Sequence, residues 1–197
     1  MTEITGKQRK INIGCGNKRV KDWTNIDIEK NTKADIVGDF RKMEFEDIED
    51  IRMFFLLEHY SRAQGVEVLI QLHDWLKLGG ILRVATPDME YIAKDFKKNP
   101  YWITRHAFGS QESFWAYHLD AWWEEKYRQI LPAIGFEILE VKRSTVRRYL
   151  PNIEIVAKKL EPNYRRERLL EYIEKHPHYE KNNYVSSNSE EHDAIYR

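Results

Sequence analysis

The sequence predicts an α/β domain, and three observations carry that reading. Short apolar segments of strand length recur along the chain, stretches with helical spacing of apolar residues follow them, and the first strand runs directly into a Gly-Cys-Gly turn. Glycine accepts backbone angles that side chains forbid and lets a ligand approach the main chain closely. Gly14, Cys15 and Gly16 are therefore the centre of a candidate cofactor site.

The first strand is Lys10 to Ile13 and the second Thr24 to Ile28, with Asn17 to Trp23 between them a basic solvated turn. Trp23 is expected to pack. Asp27 closes the second strand, where ligands of open α/β sheets sit and where an acid can accept hydrogen bonds from ribose hydroxyls. Ala34 to Asp39 reads as a third short strand with a polar end. After an acidic linker, Ile51 to Leu57 is an apolar run that suits a central buried strand, followed by Glu58 and His59.

Ser61 to Leu76 has helical spacing, with Ser61 and Gln64 placed as a capping box. His73 falls on its apolar stripe and is expected to pack. Leu78-Gly79-Gly80 is predicted to cap this helix, and Ile81 to Ala85 to form the next strand, ending in Thr86-Pro87-Asp88. Arg83 within that strand fits either an exposed face or a buried ion pair. Met89 to Lys97 is helical and Asn99-Pro100 breaks it.

From about residue 99 to 119 the chain loses a regular period and becomes rich in aromatic and polar groups, including Gln111 and His118. A segment of this length and composition reads as a substrate lid. Asp120 is placed to cap the next helix, whose inward face holds Trp123, Tyr127, Ile130, Leu131 and Ile134. Phe136 to Arg143 and Ile153 to Lys159 are two further strands, and residues 161–197 are expected to be a charged helix, Asn163 to Lys175, and a polar tail.

The 197 residues suit one domain, 1–160, with that extension appended. Hydrophobic residues at 42% and charged residues at 32% describe a folded chain rather than a disordered one. A net charge of zero gives no global attraction for nucleic acid or an anionic membrane. With neither a signal-peptide core nor an apolar stretch of membrane-spanning length, the expected location is the cytoplasm. Cys15, alone of its kind, excludes an intrachain disulfide and a multi-cysteine metal site, and His176, His178 and His192 lack a ligand spacing, so no metal is predicted.

The dinucleotide fingerprint fits poorly, since it asks for a third glycine where Arg19 stands and for an acid about 20 residues on, much later than Asp27. Instead, Ile11 to Gly16 with Asp27 resembles motifs I and II of class I S-adenosylmethionine-dependent methyltransferases. The match is closest to the small bacterial group associated with sugar and surface-polysaccharide gene clusters. Leu57-Glu58-His59 matches that group's Leu-Glu-His triplet, and LKLGGILRVATPDME (76–90) is similar to its L-K-P-G-G-x-L-R-I-x-x-P-D-x-E signature. Phe108-Gly109-Ser110-Gln111 with His118 matches its Phe-Gly-x-Gln lid segment. Two departures are Asn12, where many members carry an acid, and Phe55, where a polar or His residue is common.

The resemblance implies a Rossmann-like, seven-stranded, mostly parallel sheet closed by a C-terminal antiparallel hairpin, with helices on both faces. It implies S-adenosyl-L-methionine as cofactor, with Gly14, Cys15 and Gly16 lining its methionine part, Asp27 holding the ribose, and Asp39 and Phe40 bordering the adenine. Cys15 is expected as a small residue beneath the cofactor rather than as a nucleophile. His118 is the first candidate for a general base and His59 the second, although Glu58 and His59 could instead fix the loop and open the next helix. Gln111 and Asp88 are candidates for orienting the acceptor, a small polar molecule such as a sugar or sugar nucleotide methylated on oxygen. An inactive cofactor-binding or assembly protein, favoured by Phe55, and a dinucleotide-dependent enzyme are the alternatives. The oligomeric state stays open, a homodimer included.

Overall fold

A computed structural model describes residues 9–146 and 150–160. The expected extension beyond residue 160, with Asn163 to Lys175 and the three tail histidines, lies outside the described residues. Seven strands form one sheet in the order β3-β2-β1-β4-β5-β7-β6. They are β1 (Lys10–Ile13), β2 (Thr24–Asp27), β3 (Ile36–Val37), β4 (Ile48–Phe54), β5 (Leu76–Pro87), β6 (Phe136–Val146) and β7 (Leu150–Lys159). The first five run parallel, and β7 enters antiparallel between β5 and β6. Among the described residues four α-helices pack around the sheet: α1 (Arg62–Trp75), α2 (Met89–Asp95), α3 (Pro100–Phe108) and α4 (Glu124–Ile134).

The core forms where strand residues such as Ile11, Ile51, Leu82 and Ile155 meet Leu69 and Leu72 of α1 and Tyr127 and Ile130 of α4, all fully buried. Parallel central strands are covered on both faces, which is why their sequences read as short continuous apolar runs. The capping box at Ser61 is present, with Gln64 and Ser61 bonding reciprocally. His73 is buried, as expected, and stands edge-on to Phe136 at 5.1 Å. Arg83 resolves as an ion pair, its Nε donating to Asp50 at 3.1 Å.

Several elements depart from the sequence expectation. The central strand ends at Phe54 rather than Leu57, because Phe55 takes a left-handed conformation (φ 56°) and Leu57–His59 turns as a single 3-10 turn. Leu78-Gly79-Gly80 does not cap α1. The helix ends at Trp75 and the chain passes straight into β5, whose register against β4 shifts before Ile81. The end of α1 is closed instead by Lys159 from the far end of β7, whose buried ammonium donates to the carbonyls of His73 (2.7 Å) and Leu76 (2.8 Å). A cation suits this position because helix carboxyl ends carry unpaired carbonyls and partial negative charge.

Asp120 does not cap α4 either. Trp123 holds that position without a side-chain bond, while Asp120 is paired with Lys126, and both side chains are buried. Trp122, rather than Trp123, faces the core, lying 4.9 Å from the Tyr127 ring. Part of the predicted lid is regular: Pro100 opens α3, where its missing N–H costs nothing, while α2 has already ended at Asp95, short of the expected Lys97. No helix among the described residues is long and apolar enough to cross a membrane.

Asn12 gains an explanation from its neighbours. Its amide donates to the Asn25 side-chain oxygen (2.9 Å) and its own oxygen accepts from Arg52 (2.7 Å), so one residue donates to one side and accepts from the other. An ionised Asp can only accept. Asn25 in turn bonds Val20, Trp23 and Asp35, which anchors the 17–23 turn to the sheet.

Replacing Lys159 by Met should lower stability by about 1–3 kcal/mol, the usual cost of leaving buried polar groups without a charged partner. Urea unfolding checks this, and a variant as stable as the parent would remove Lys159 from the account of how α1 ends.

Candidate functional site

The carboxyl ends of β1, β2 and β4 open onto a cleft of about 590 Å³ lined by residues from Ile13 to Trp115. It exists because parallel strands deliver their carboxyl ends to one edge, where the chain must turn away before the next helix or strand. At the end of β1, Gly14 and Gly16 both adopt positive φ (68° and 50°). The amides of Gly14 and Cys15 donate to the carbonyl of Ile26 (2.9 and 3.2 Å), and that of Gly16 to Asp27 Oδ2 (2.7 Å). The turn is thus fastened to the end of β2 on both sides.

Gly14 is hemmed by Leu56, since a Cβ there would come within 3.0 Å of Leu56 Cδ2. A Cβ on Gly16 would meet nothing within 4 Å, so its main chain faces open space in the cleft. The Asp27 carboxylate also accepts from the Glu29 amide (2.9 Å), and the two oxygens retain lone pairs for a ligand. Ile28 beyond it is 61% exposed and lines the cleft, an apolar face beside the acid that the strand pattern alone did not mark as functional.

Asp39 and Phe40 also line the cleft. Burial raises the Asp39 pKa, but hydrogen bonds and charge from Arg41 outweigh it and hold the carboxyl below its ordinary value. Arg41 donates to both Asp39 oxygens, from Nε at 3.0 Å and Nη2 at 2.8 Å. Phe40 is largely buried, edge-on to Tyr60 and Trp75, so its ring supports the wall more than it faces the opening.

Cys15 is not among the cleft residues. Its side chain is buried, its sulfur donates to the Gly16 carbonyl (3.4 Å), and burial together with the Asp27 charge pushes its thiol pKa up. A protonated, inward thiol is a poor nucleophile, and its contribution to the site is backbone.

At the end of β4, Phe55, Leu56, His59 and Tyr60 form the opposite wall. His59 Nδ1 faces the Tyr117 carbonyl at 2.9 Å, an acceptor, so Nδ1 carries the proton and Nε2 has a free lone pair. The His118 ring lies edge-on to it, centroids 4.9 Å apart. Burial, then the charges of His59 and His106, push the His118 pKa down to about 4, and burial lowers that of His59. Both imidazoles are neutral near pH 7. Glu58 is 2% exposed and burial pushes its carboxyl up to about 8.

The two acceptor-orienting candidates stand apart from this wall. Asp88 is fully buried, caps α2 through the Glu90 amide (3.2 Å) and holds Arg143 Nε at 2.9 Å, so its carboxylate is occupied structurally. Gln111, at positive φ (59°) and exposed, does not line the cleft, whereas Trp115 from the same segment does. The sequence offered no signal separating Trp115 from the other lid aromatics, because only the tertiary fold decides which ring turns inward.

No protein-family model matches the sequence, and no curated protein matches it. Solved structures do. A crystal structure of an S-adenosylmethionine-dependent methyltransferase from Methanosarcina mazei is similar with a TM-score of 0.55 at 18% identity, covering 79% of this chain and 94% of that one. Magnesium protoporphyrin IX methyltransferase from Synechocystis with bound S-adenosylhomocysteine gives 0.51 at 13% identity over 76% and 73%. The 1,6-didemethyltoxoflavin-N1-methyltransferase of Burkholderia thailandensis gives 0.52 at 12% over 77% and 71%. Together with the strand order and the antiparallel β7, these likenesses give the chain the Rossmann-like fold of class I S-adenosylmethionine-dependent methyltransferases.

Proposed function

We propose that this chain is an S-adenosylmethionine-dependent methyltransferase acting on a small polar acceptor, with a sugar or sugar nucleotide methylated on oxygen as the favoured class. The observation that carries the reading is the open space in front of Gly16 beside the Asp27 carboxylate, at the edge of the sheet where nucleoside ligands of this fold class bind. The antiparallel strand between β5 and β6 favours this over a dinucleotide enzyme.

The cofactor supplies an activated methyl group. Gly14 and Gly16 would present backbone to its methionine part, Asp27 would accept from its ribose hydroxyls, and Asp39 with Ile28 and Phe40 would border its adenine. His59 lines the cleft and His118 backs it, so a neutral imidazole is at hand to take the acceptor's proton. Trp115 and Phe55, half-exposed at the cleft, offer flat apolar faces that suit a sugar ring. Residues 99–119 act as the lid in this reading, which the interleaving of His118 with His59 supports.

Calorimetric titration with S-adenosylmethionine, S-adenosylhomocysteine and NAD tests the cofactor. Both sulfur ligands should bind, and Asp27→Ala should weaken them by at least ~10-fold, the effect of losing hydrogen bonds to a charged group. Binding of NAD alone overturns the reading.

Transfer of labelled methyl to a panel of sugars and sugar nucleotides tests the chemistry. His59→Ala and His118→Ala should each cut turnover by ~100-fold or more, the range for a proton-transfer group, and leave S-adenosylhomocysteine affinity nearly unchanged. Ligand binding with no transfer to any acceptor would favour a cofactor-binding protein, for which Phe55 in place of a polar residue would be the first suspect.

A further inference from the structure

Residues 58, 59 and 118 come from two parts of the chain and meet at the wall of the cleft. A carboxylate oxygen of Glu58 and one ring nitrogen each of His59 and His118 all lie within 4.8 Å of one another. Glu58 is 2% exposed, and among the described residues its Oε2 has no hydrogen-bond partner. A buried carboxyl oxygen left without a partner is costly, and native structures rarely keep one without a reason.

The histidines are prepared in a complementary way. Hydrogen bonding of His59 Nδ1 to the Tyr117 carbonyl leaves Nε2 as a bare lone pair, and the backbone acceptors of His106 and Ala107 lie beside the His118 ring. Metal-ligating histidines are oriented by such carbonyl contacts at the second nitrogen. The backbone holds the three together: the amides of Leu119 (2.8 Å) and Asp120 (3.3 Å) donate to the Glu58 carbonyl, and that of His118 to Phe108 (3.2 Å).

We propose that Glu58, His59 and His118 bind a divalent transition-metal cation, as two imidazoles and one carboxylate with further positions open to the cleft. Two nitrogen donors disfavour magnesium and calcium, which take oxygen ligands, and suit zinc, cobalt or iron. The cation supplies the partner that Glu58 Oε2 lacks. Its use rests on the methyl-transfer reading: an acceptor hydroxyl bound at an open position would lose its proton to water more readily, since the cation stabilises the alkoxide. The imidazoles would then act as ligands rather than as the base itself.

The test is calorimetry on the untagged, chelator-stripped full chain, titrated with Zn2+ and with Co2+, with Mg2+ as the hard-cation control. Wild type should take up one Zn2+ or Co2+ per chain and bind Mg2+ far more weakly. Glu58→Gln, His59→Ala and His118→Ala should each weaken Zn2+ by at least ~10-fold, the lower end of what losing even an outer partner costs. No uptake of either ion by wild type overturns the proposal. So does wild-type affinity in all three variants, which would place the ion elsewhere, for instance on His176, His178 and His192.

Circular dichroism checks that each variant is folded. Should one misfold, wild type carries the test by chemical modification: Zn2+ should protect His59 and His118 from diethylpyrocarbonate, mapped by mass spectrometry, and unchanged modification overturns the site. S-adenosylhomocysteine titrated alongside separates the two readings. Zn2+ uptake without S-adenosylhomocysteine binding would remove the methyl-transfer reading and leave the metal site standing, and the reverse result would remove the metal site alone.

Discussion

The bond from the Gly16 amide to the Asp27 carboxylate holds the end of β1 to the end of β2, and the cleft depends on it. With Gly14 and Cys15 donating to Ile26, it fixes a turn in which the main chain bends at positive φ and leaves space in front of Gly16. The carboxylate therefore has two tasks. It organises the turn before any ligand arrives, and its remaining lone pairs stay available to a ligand hydroxyl. Preorganisation of this kind reduces the ordering cost that binding would otherwise carry.

Behind the turn, the same logic extends through neutral polar groups. Asn12 and Asn25 cross from β1 to β2, and Arg52 of β4 completes the row while its guanidinium lies 3.8 Å from the Phe54 ring centroid. Amides that both donate and accept can link the Arg52 cation at one end of the row to the Asp35 carboxylate at the other, with each member partnered. The Asn at position 12, a departure from the resembled pattern, is what allows the row to close.

The opposite wall is built on a different constraint. The left-handed Phe55 ends β4 early, and the following turn buries Glu58 while aiming His59 at the cleft. The chain after α3 returns to this turn through the Glu58 carbonyl, which accepts from Leu119 and Asp120, and through the edge-on contact of His118 with His59. Asp120 is then secured by Lys126 in α4. Helix α4, the segment before it and the central strand therefore share one junction, and the chemistry proposed for the site is placed at it.

Much of this was legible in the sequence because local rules determined it. The glycine turn, the acid ending the second strand and the capping box at Ser61 follow from backbone sterics, periodicity and hydrogen bonding between near neighbours, and the structure has each of them. The seven-stranded, mostly parallel sheet with its antiparallel hairpin is what the resemblance implied, and its strand order came only with the fold. What escaped was set by partners distant in sequence. Lys159 caps α1 across 86 residues, displacing the cap expected at Gly79. Arg143 occupies Asp88 from 55 residues away, which removes that acid from the cleft. Trp115, rather than Gln111, lines the cleft, and His118 meets Glu58 and His59 only because the chain after α3 folds back onto the end of β4. The sequence by itself determined the strand segments and the turn that opens the cleft, since those depend on local conformation. The tertiary structure decided which polar side chains are left with unused bonding capacity there, since that depends on which partner each one has already found.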